Sequence, residues 1–242
     1  MSSLFLNDAL EGASPGDRLV LSGLEAKHAV SVSRVRAGEA VLVGNGRGLL
    51  VECVVETARP TEVTLRAESV SSHDERQPVI SLAQALAKGD RDERAVQMCT
   101  ELGVSCIIPW QAKRSVSRWD AAKAAKGAQR WQTIAREATK QSLRAHVPTV
   151  KPLATTAMLA SGSAEQRMLV LDPDAETALS SIQLDDRSIV LVVGPEGGIA
   201  DEELRELTAA NAERVRLGSQ VLRTSSAGAA ALAVLNVLTQ EW

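Results

Sequence analysis

Ile189-Val190-Leu191-Val192-Val193-Gly194-Pro195-Glu196-Gly197-Gly198 joins an unbroken apolar run to a glycine-rich turn. A strand that is apolar at every position is buried on both faces, as in a parallel sheet covered by helices. A helical pattern follows (Asp201, Leu204, Leu207), and then a short strand is predicted over Arg214–Leu217. Next comes a second turn, Gly218-Ser219-Gln220-Val221-Leu222-Arg223-Thr224, and an alanine-rich helix predicted over Ala227–Leu238. Each glycine-bearing turn follows a strand and precedes a helix. In open parallel sheets, ligands bind beyond the carboxyl ends of the strands. Glycine lets the backbone approach a ligand closely, and Pro195 fixes the chain direction. No Gly-Lys-Ser/Thr follows the first turn, and Gly-x-Gly-x-x-Gly is absent, so neither a Walker loop nor a dinucleotide fingerprint is present. The residues alone leave two readings open: a small-ligand site, or two sharp strand-to-helix turns.

Working outward, strands, a helix and turns alternate from residue 79 on, which points to an α/β domain with a mostly parallel sheet. Predicted strands cover Val79–Ala85, Cys106–Pro109 and Arg167–Leu171. A helix between the first two buries Ala95, Met98, Cys99 and Leu102, with Asp90 and Glu93 as a capping box and Gly103 as its stop. A long helix is predicted over Ala121–Leu143, with a core stripe of Ala124, Ala128, Trp131, Ala135 and Ala138. On its other side Arg130, Glu137, Gln141 and Arg144 fall on one helical face. A short helix (Ala154–Leu159) and a loop fill the stretch to Gln166. Upstream, residues 1–72 read as a small β-barrel. Its strands are Arg18–Leu21, Ala40–Gly44, Leu49–Glu56 and Glu62–Ala67, with a helix over Leu24–Val32 and an Asn45-Gly46 hairpin turn. The polar run Val70–Pro78 reads as a linker, giving domains of 1–72 and 73–242.

Net charge is −3 over 242 residues, but it is unevenly spread: −2 over 1–72, +5 over 73–150 and −6 over 151–242. The basic excess sits mainly in 113–146, which suits either a phosphate backbone or a solvated helix face. Aromatic side chains are scarce; Trp110 and Trp119 flank the basic loop and are candidates for stacking on a base, whereas Trp131 belongs to the core. Cys53, Cys99 and Cys106 lie far apart with no C-x-x-C spacing, which is expected of free thiols in a reducing cytoplasm. His28, His73 and His146 show no metal-ligand spacing, so no metal is expected. No apolar run has membrane-spanning length, and no secretory leader is read at the N-terminus.

Val193 to Gly198, followed by Leu217-Gly218-x-x-Val221-Leu222-Arg223-Thr224, resembles the SPOUT superfamily of methyltransferases and, within it, the ribosomal RNA small subunit methyltransferase E family. Lys88-Gly89-Asp90-Arg91 to Val104, the Lys113-Arg114-Ser115-Val116 loop, and Arg130-Trp131…Glu137-Ala138…Gln141-Ser142-x-Arg144…Pro148 are similar to that family as well. The resemblance implies a C-terminal trefoil-knotted domain, an N-terminal PUA-like domain, and S-adenosylmethionine-dependent methylation of uridine N3 in 16S ribosomal RNA by a homodimer. It implies that Val193, Gly194, Pro195, Glu196, Gly197, Gly198, Leu217, Gly218, Val221, Leu222, Arg223, Thr224 and Ala227 hold the cofactor. It puts Glu137, Gln141, Arg144 and Arg223 beside the reaction. Together with the basic stretch 113–146, it makes His28, Arg34, Lys88, Arg91, Arg114, Lys123, Lys126 and Arg130 the expected RNA contacts. Arg223 is either a charge stabiliser or a partner of helix carbonyls; Glu137 is either a general base or an ion-pair member. Ser225-Ser226-Ala227 stands where the family has Glu-Thr-Ala, so no role passes from that Glu, and a Ser here is expected to cap the last helix. Ser33 and Ser3 stand where the family has Leu and Arg. The small residues Gly228 to Ala231 of the last helix, with the Gly194 turn region, are expected to form the dimer face, the alternative being that these small residues pack in the monomer's own core. A non-catalytic RNA-binding module and a phosphate-transfer α/β protein are the competing classes; the paired glycine turns argue against the first and the missing Walker Lys against the second.

Overall fold

The computed structural model describes residues 3–162 and 166–242. It separates into two compact units, Met1–Glu75 with Thr139–Val147, and Arg76–Ala138 with Pro148–Trp242.

The first unit is a curled five-stranded sheet. Its elements are β1 (Leu4–Leu6), β2 (Arg18–Ser22), α1 (Gly23–Ser31), β3 (Ala40–Gly44), β4 (Leu49–Arg59) and β5 (Glu62–Ser72), in spatial order β1-β3-β4-β5-β2. Phe5, Leu21, Val43, Val51, Val63 and Leu65 fill its core. Two register shifts between β4 and β5 bend these long strands. The β3–β4 hairpin forms, but through a four-residue loop (45–48) rather than an Asn-Gly turn: the Asn45 N–H donates to the Leu49 carbonyl (3.2 Å), and φ is positive at Gly46 and Gly48 but not at Asn45. The Asn45 carboxamide oxygen accepts from the N–H groups of Arg47 (2.8 Å) and Leu49 (3.2 Å), and Gly46 takes φ +71°. The segment Thr139–Val147 is fastened to this unit. Lys140 makes an ion pair with Glu25 at 3.3 Å, with only 4% of the lysine side chain exposed. The Gly48 N–H donates to the Ala145 carbonyl (3.0 Å) and that of Val147 to Gly46 (2.9 Å).

The second unit is a six-stranded sheet, parallel throughout. It contains β6 (Ile80–Ala85), α2 (Arg91–Glu101), β7 (Cys106–Trp110), α3 (Ala121–Gln141) as far as Ala138, β8 (Thr149–Val150), α4 (Thr156–Ala160), β9 (Gln166–Leu171), β10 (Ser188–Val193), α5 (Asp201–Ala209), β11 (Glu213–Val215) and α6 (Thr224–Leu238). The spatial order is β11-β9-β10-β6-β7-β8. The unbroken apolar run of β10 has the predicted cause. Ile189, Leu191 and Val193 face one core with Cys99, Trp131, Leu232 and Leu235, while Val190 and Val192 face another with Trp110, Ile199 and Leu207. Leu191 is fully buried, and truncating it to Ala removes about 2–5 kcal/mol by lost transfer energy and the cavity left behind.

Several expectations change. β1 was not anticipated: all three of its residues are buried, so it shows no alternation. Val70–Ser72 extend β5 rather than a linker, because Leu49, Leu50 and Val51 of β4 pair with them. The Asp90–Glu93 capping box is absent. Asp90 binds Arg94, Glu93 binds Arg130, and Asp92 instead accepts from the Ala87 N–H (3.0 Å). The long helix ends at Gln141, where Leu143 turns left-handed (φ +55°) and the Arg144 N–H closes on the Thr139 carbonyl (3.1 Å). β11 stops at Val215, and α6 begins at Thr224 with Arg223 as its cap, so neither Ser225 nor Ser226 caps it. The short fourth helix is shifted to start at Thr156, and residues 163–165 of the loop expected after it lie outside the described residues. Among the described residues, no helix is long and apolar enough to cross a membrane.

Candidate functional site

β9, β10 and β11 are neighbours in the sheet and end at Leu171, Val193 and Val215. The turns that leave these three ends surround a cavity of about 1090 Å³. This is where a parallel sheet places a ligand, since the strands diverge into loops there.

Local chemistry shapes the first turn. The Gly198 N–H donates to the Pro195 carbonyl at 2.9 Å, and Gly198 has φ +72°, which an L side chain would strain. Gly194 is packed tightly: an added Cβ would lie 2.7 Å from Ile199 Cγ1. The Thr224 hydroxyl, at the start of α6, donates to the Gly194 carbonyl at 2.7 Å and so ties the second turn to the first. Glu196 accepts from the Lys88 N–H and the Arg91 guanidinium, each at 2.8 Å. Burial pushes the Glu196 carboxyl up. The hydrogen bonds from its own N–H, from Arg91 and from Lys88 outweigh that effect and hold it below the usual carboxylate range. Buried Glu203 accepts from the Lys113 N–H (2.9 Å), the Thr156 hydroxyl (2.7 Å) and the Ala200 N–H (3.2 Å), which fixes the 113–114 loop against α5. Arg114 then donates to the carbonyls of Gly197 and Ile199, both at 3.3 Å.

Of the residues expected at the cofactor, Val193, Gly194, Pro195, Glu196, Gly198, Leu217, Gly218, Val221, Leu222, Arg223, Thr224 and Ala227 line this cavity, and Gly197 does not. Gly197 turns toward Arg114, whose Cβ would meet an added Cβ at 3.4 Å. Arg91 and Arg114, expected on RNA, line the cavity too. Asp172, Asp174, Arg205, Thr208, Arg214 and Arg216 were not anticipated. Asp172-Pro173-Asp174 carried a signal, since it ends a parallel strand; the α5 side chains carried none.

The other expected residues are dispersed. Arg130, Glu137 and Gln141, the last residue of α3, keep the exposed helical face expected of them, whereas Arg144 lies beyond the helix and leaves that face. Arg130 forms a two-pronged pair with Glu93. Lys123 pairs with Asp120 at 3.4 Å, where its N–H also meets the Asp120 carboxylate that caps α3 (2.9 Å). Lys126 and Lys88 are exposed. In the first unit His28 stacks edge-on against Phe5, with centroids 6.2 Å apart, and Arg34 is exposed at φ +55°. Neither tryptophan is an open stacking platform. Trp110 is fully buried and donates to the Thr156 hydroxyl, and Trp119 packs on Trp131 at 5.3 Å. Gly228 and Ala231 belong to the chain's own core rather than an outer face, with a Gly228 Cβ site 3.1 Å from Cys99 Sγ.

The lining suits S-adenosylmethionine on its own terms. Val221 (76%) and Leu222 (41%) are exposed apolar side chains inside a polar-rimmed cavity, and they offer contact to a planar base. Around Gly218 the backbone is open, with no atom closer than 3.9 Å to an added Cβ. The α6 N-terminus, which begins at Thr224 with no side-chain cap, carries the partial positive charge that suits a carboxylate.

Residues 74–236 match the RNA methyltransferase domain family, and residues 21–68 match the RNA methyltransferase PUA domain family. The Ribosomal RNA small subunit methyltransferase E of Mycobacterium bovis is 40% identical over 100% of this chain and 94% of its own length. The protein of the same name from Bacillus subtilis is 31% identical over 91% of this chain and 90% of its own. The chain belongs to the ribosomal RNA small subunit methyltransferase E family. A solved family member from Neisseria gonorrhoeae, bound to S-adenosyl methionine, is 29% identical, covers 98% of both chains and superposes with a TM-score of 0.88. In family terms the curled sheet carries the PUA match. Every residue that lines the strand-end cavity falls within the methyltransferase match.

Proposed function

We propose that this protein methylates N3 of a uridine in 16S ribosomal RNA of the small ribosomal subunit, using S-adenosylmethionine. One observation carries the proposal: both glycine turns line a single strand-end cavity in a chain that is related along its whole length to small-subunit ribosomal RNA methyltransferases. Gly194 to Glu196, Gly198, Leu217, Gly218 and Val221 to Thr224 would hold the cofactor, which supplies an electrophilic methyl group for direct displacement.

The protein's own residues then orient the base and manage a proton. Uridine N3 must lose its hydrogen as the N–C bond forms and the S–C bond breaks. Glu137 is the proposed acceptor of that proton. Gln141 and Arg144 donate to the uracil oxygens and spread the charge left on the ring. Arg223, permanently charged and at the cavity wall, adds a second stabilising cation. His28, Arg34, Lys88, Arg91, Arg114, Lys123, Lys126 and Arg130 are the proposed RNA contacts. Residues 1–72 chiefly seat the RNA and 73–242 carry the chemistry. We further propose a cytoplasmic homodimer that meets through α6 and the Gly194 turn region; on α6, Val237 is 60% exposed.

Mass spectrometry of small-subunit ribosomal RNA from cells lacking the protein, and from cells with it restored, tests this. One uridine should gain an N3 methyl only when the protein is present. No change, or a methyl on a ribose oxygen, would refute the proposed reaction.

A further inference from the structure

Gln84, near the carboxyl end of β6, is fully buried beside Val193 of β10 in the sheet register. Its side-chain nitrogen donates one hydrogen to the Ala85 carbonyl (3.1 Å) and the other to the Thr224 hydroxyl oxygen (2.9 Å). The Thr224 hydroxyl has a single proton, and it goes to the Gly194 carbonyl at 2.7 Å. The chain of bonds therefore has one direction, from the Gln84 amide through Thr224 to Gly194. Only a donor at position 84 completes it. The arrangement has a cost: the Gln84 carbonyl oxygen is buried with no hydrogen-bond partner. An apolar side chain would avoid that cost, so stability alone does not account for glutamine here. Local violations of packing rules concentrate where function requires them. Gly194 and Thr224 both line the cavity, one from each turn.

We infer that Gln84 is a positioning residue that locks the two cofactor turns together through Thr224, so that cofactor affinity depends on a side chain that does not itself line the cavity. This rests on the cavity holding S-adenosylmethionine. The test is calorimetric titration of that cofactor into the full-length protein and into Gln84→Met, Thr224→Val, Thr224→Ser and the Gln84→Met/Thr224→Val double variant. Cofactor KM, kcat and melting temperature are measured alongside. Gln84→Met and Thr224→Val should each weaken binding about three- to tenfold, the reach of one positioned hydrogen bond. KM should rise to match, with kcat changed less than about twofold. The double variant should be no weaker than the weaker single, because both break one chain. Thr224→Ser keeps the hydroxyl and should recover most of the affinity that Thr224→Val loses. Gln84→Met should melt within about 2 °C of the unmodified protein, since losing the unpaired oxygen offsets the lost bonds. Wild-type affinity in Gln84→Met, additive losses in the double variant, or an equal loss in Thr224→Ser would overturn the inference. If Gln84→Met does not fold, wild-type affinity in Thr224→Val overturns it. An unmodified protein that fails to bind the cofactor would overturn the proposed function and this inference with it, an outcome distinct from a variant that merely binds as tightly as its parent.

Discussion

The strand-end turns and the basic stretch 113–146 make opposite use of the same kind of sequence pattern. In the turns, residues far apart along the chain converge, and Val193 to Glu196 and Val221 to Thr224 line one cavity. In the basic stretch, residues close along the chain disperse. Arg114 holds the first glycine turn, Arg130 is captured by Glu93, Lys123 by Asp120, and Lys140 by Glu25 of α1. The turns are dictated by backbone demands that glycine, proline and threonine meet in few ways. The fate of a long cation depends on which carboxylate the fold brings near it, and sequence spacing does not state that.

Three variants sharpen this contrast. The largest effect is expected from Arg144→Ala. If Arg144 stabilises charge on the base, turnover should fall about a hundredfold while cofactor affinity stays within about threefold, which single-turnover kinetics beside a titration would resolve. Equal losses in both would assign Arg144 to structure instead. A smaller effect is expected from reversing Lys123 and Lys126 to Glu. RNA affinity should drop about tenfold at low salt, and the slope of log affinity against log salt should shrink by about two, with cofactor binding untouched. A salt slope that ignores the reversal removes this face from the RNA contact. The smallest is Gly228→Ala. Helix propensity favours alanine by about 0.5–1 kcal/mol, but overpacking against Cys99 and Leu82 costs about 1–3 kcal/mol, so packing wins and the melting temperature should fall by about 2–4 °C. Unchanged melting with a lost dimer would instead return Gly228 to an outer face.

The parallel sheet was legible because Ile189 to Val193 has no polar position, and a run so short and so apolar belongs in a sheet covered on both faces. That a hairpin joins β3 to β4 was legible because Asn45 and Gly46 mark a chain reversal; its four-residue length was not, since the second positive φ falls at Gly48 and not at Asn45. β1 was not legible: three buried residues have neither period nor length. The end of α3 was missed because Leu143, an ordinary helix former, adopts the left-handed conformation more often given to glycine. Two residues of error there were enough to move Arg144 off the helical face. Gln84 was invisible for another reason, since one polar residue in an apolar strand has meaning only once Thr224 is seen beside it.

The central claim is that the strand-end cavity holds S-adenosylmethionine against the backbone of both turns. Calorimetric titration of Gly218→Val tests it most directly. The added side chain enters open space in the cavity, with no atom closer than 3.9 Å to its Cβ, so folding should be undisturbed. Affinity should fall at least about tenfold, with the melting temperature of the unliganded protein unchanged. Gly197→Val, whose own backbone does not line the cavity and whose added side chain meets Arg114 first, should lose less. A folded Gly218→Val protein that binds the cofactor as tightly as its parent would contradict the account.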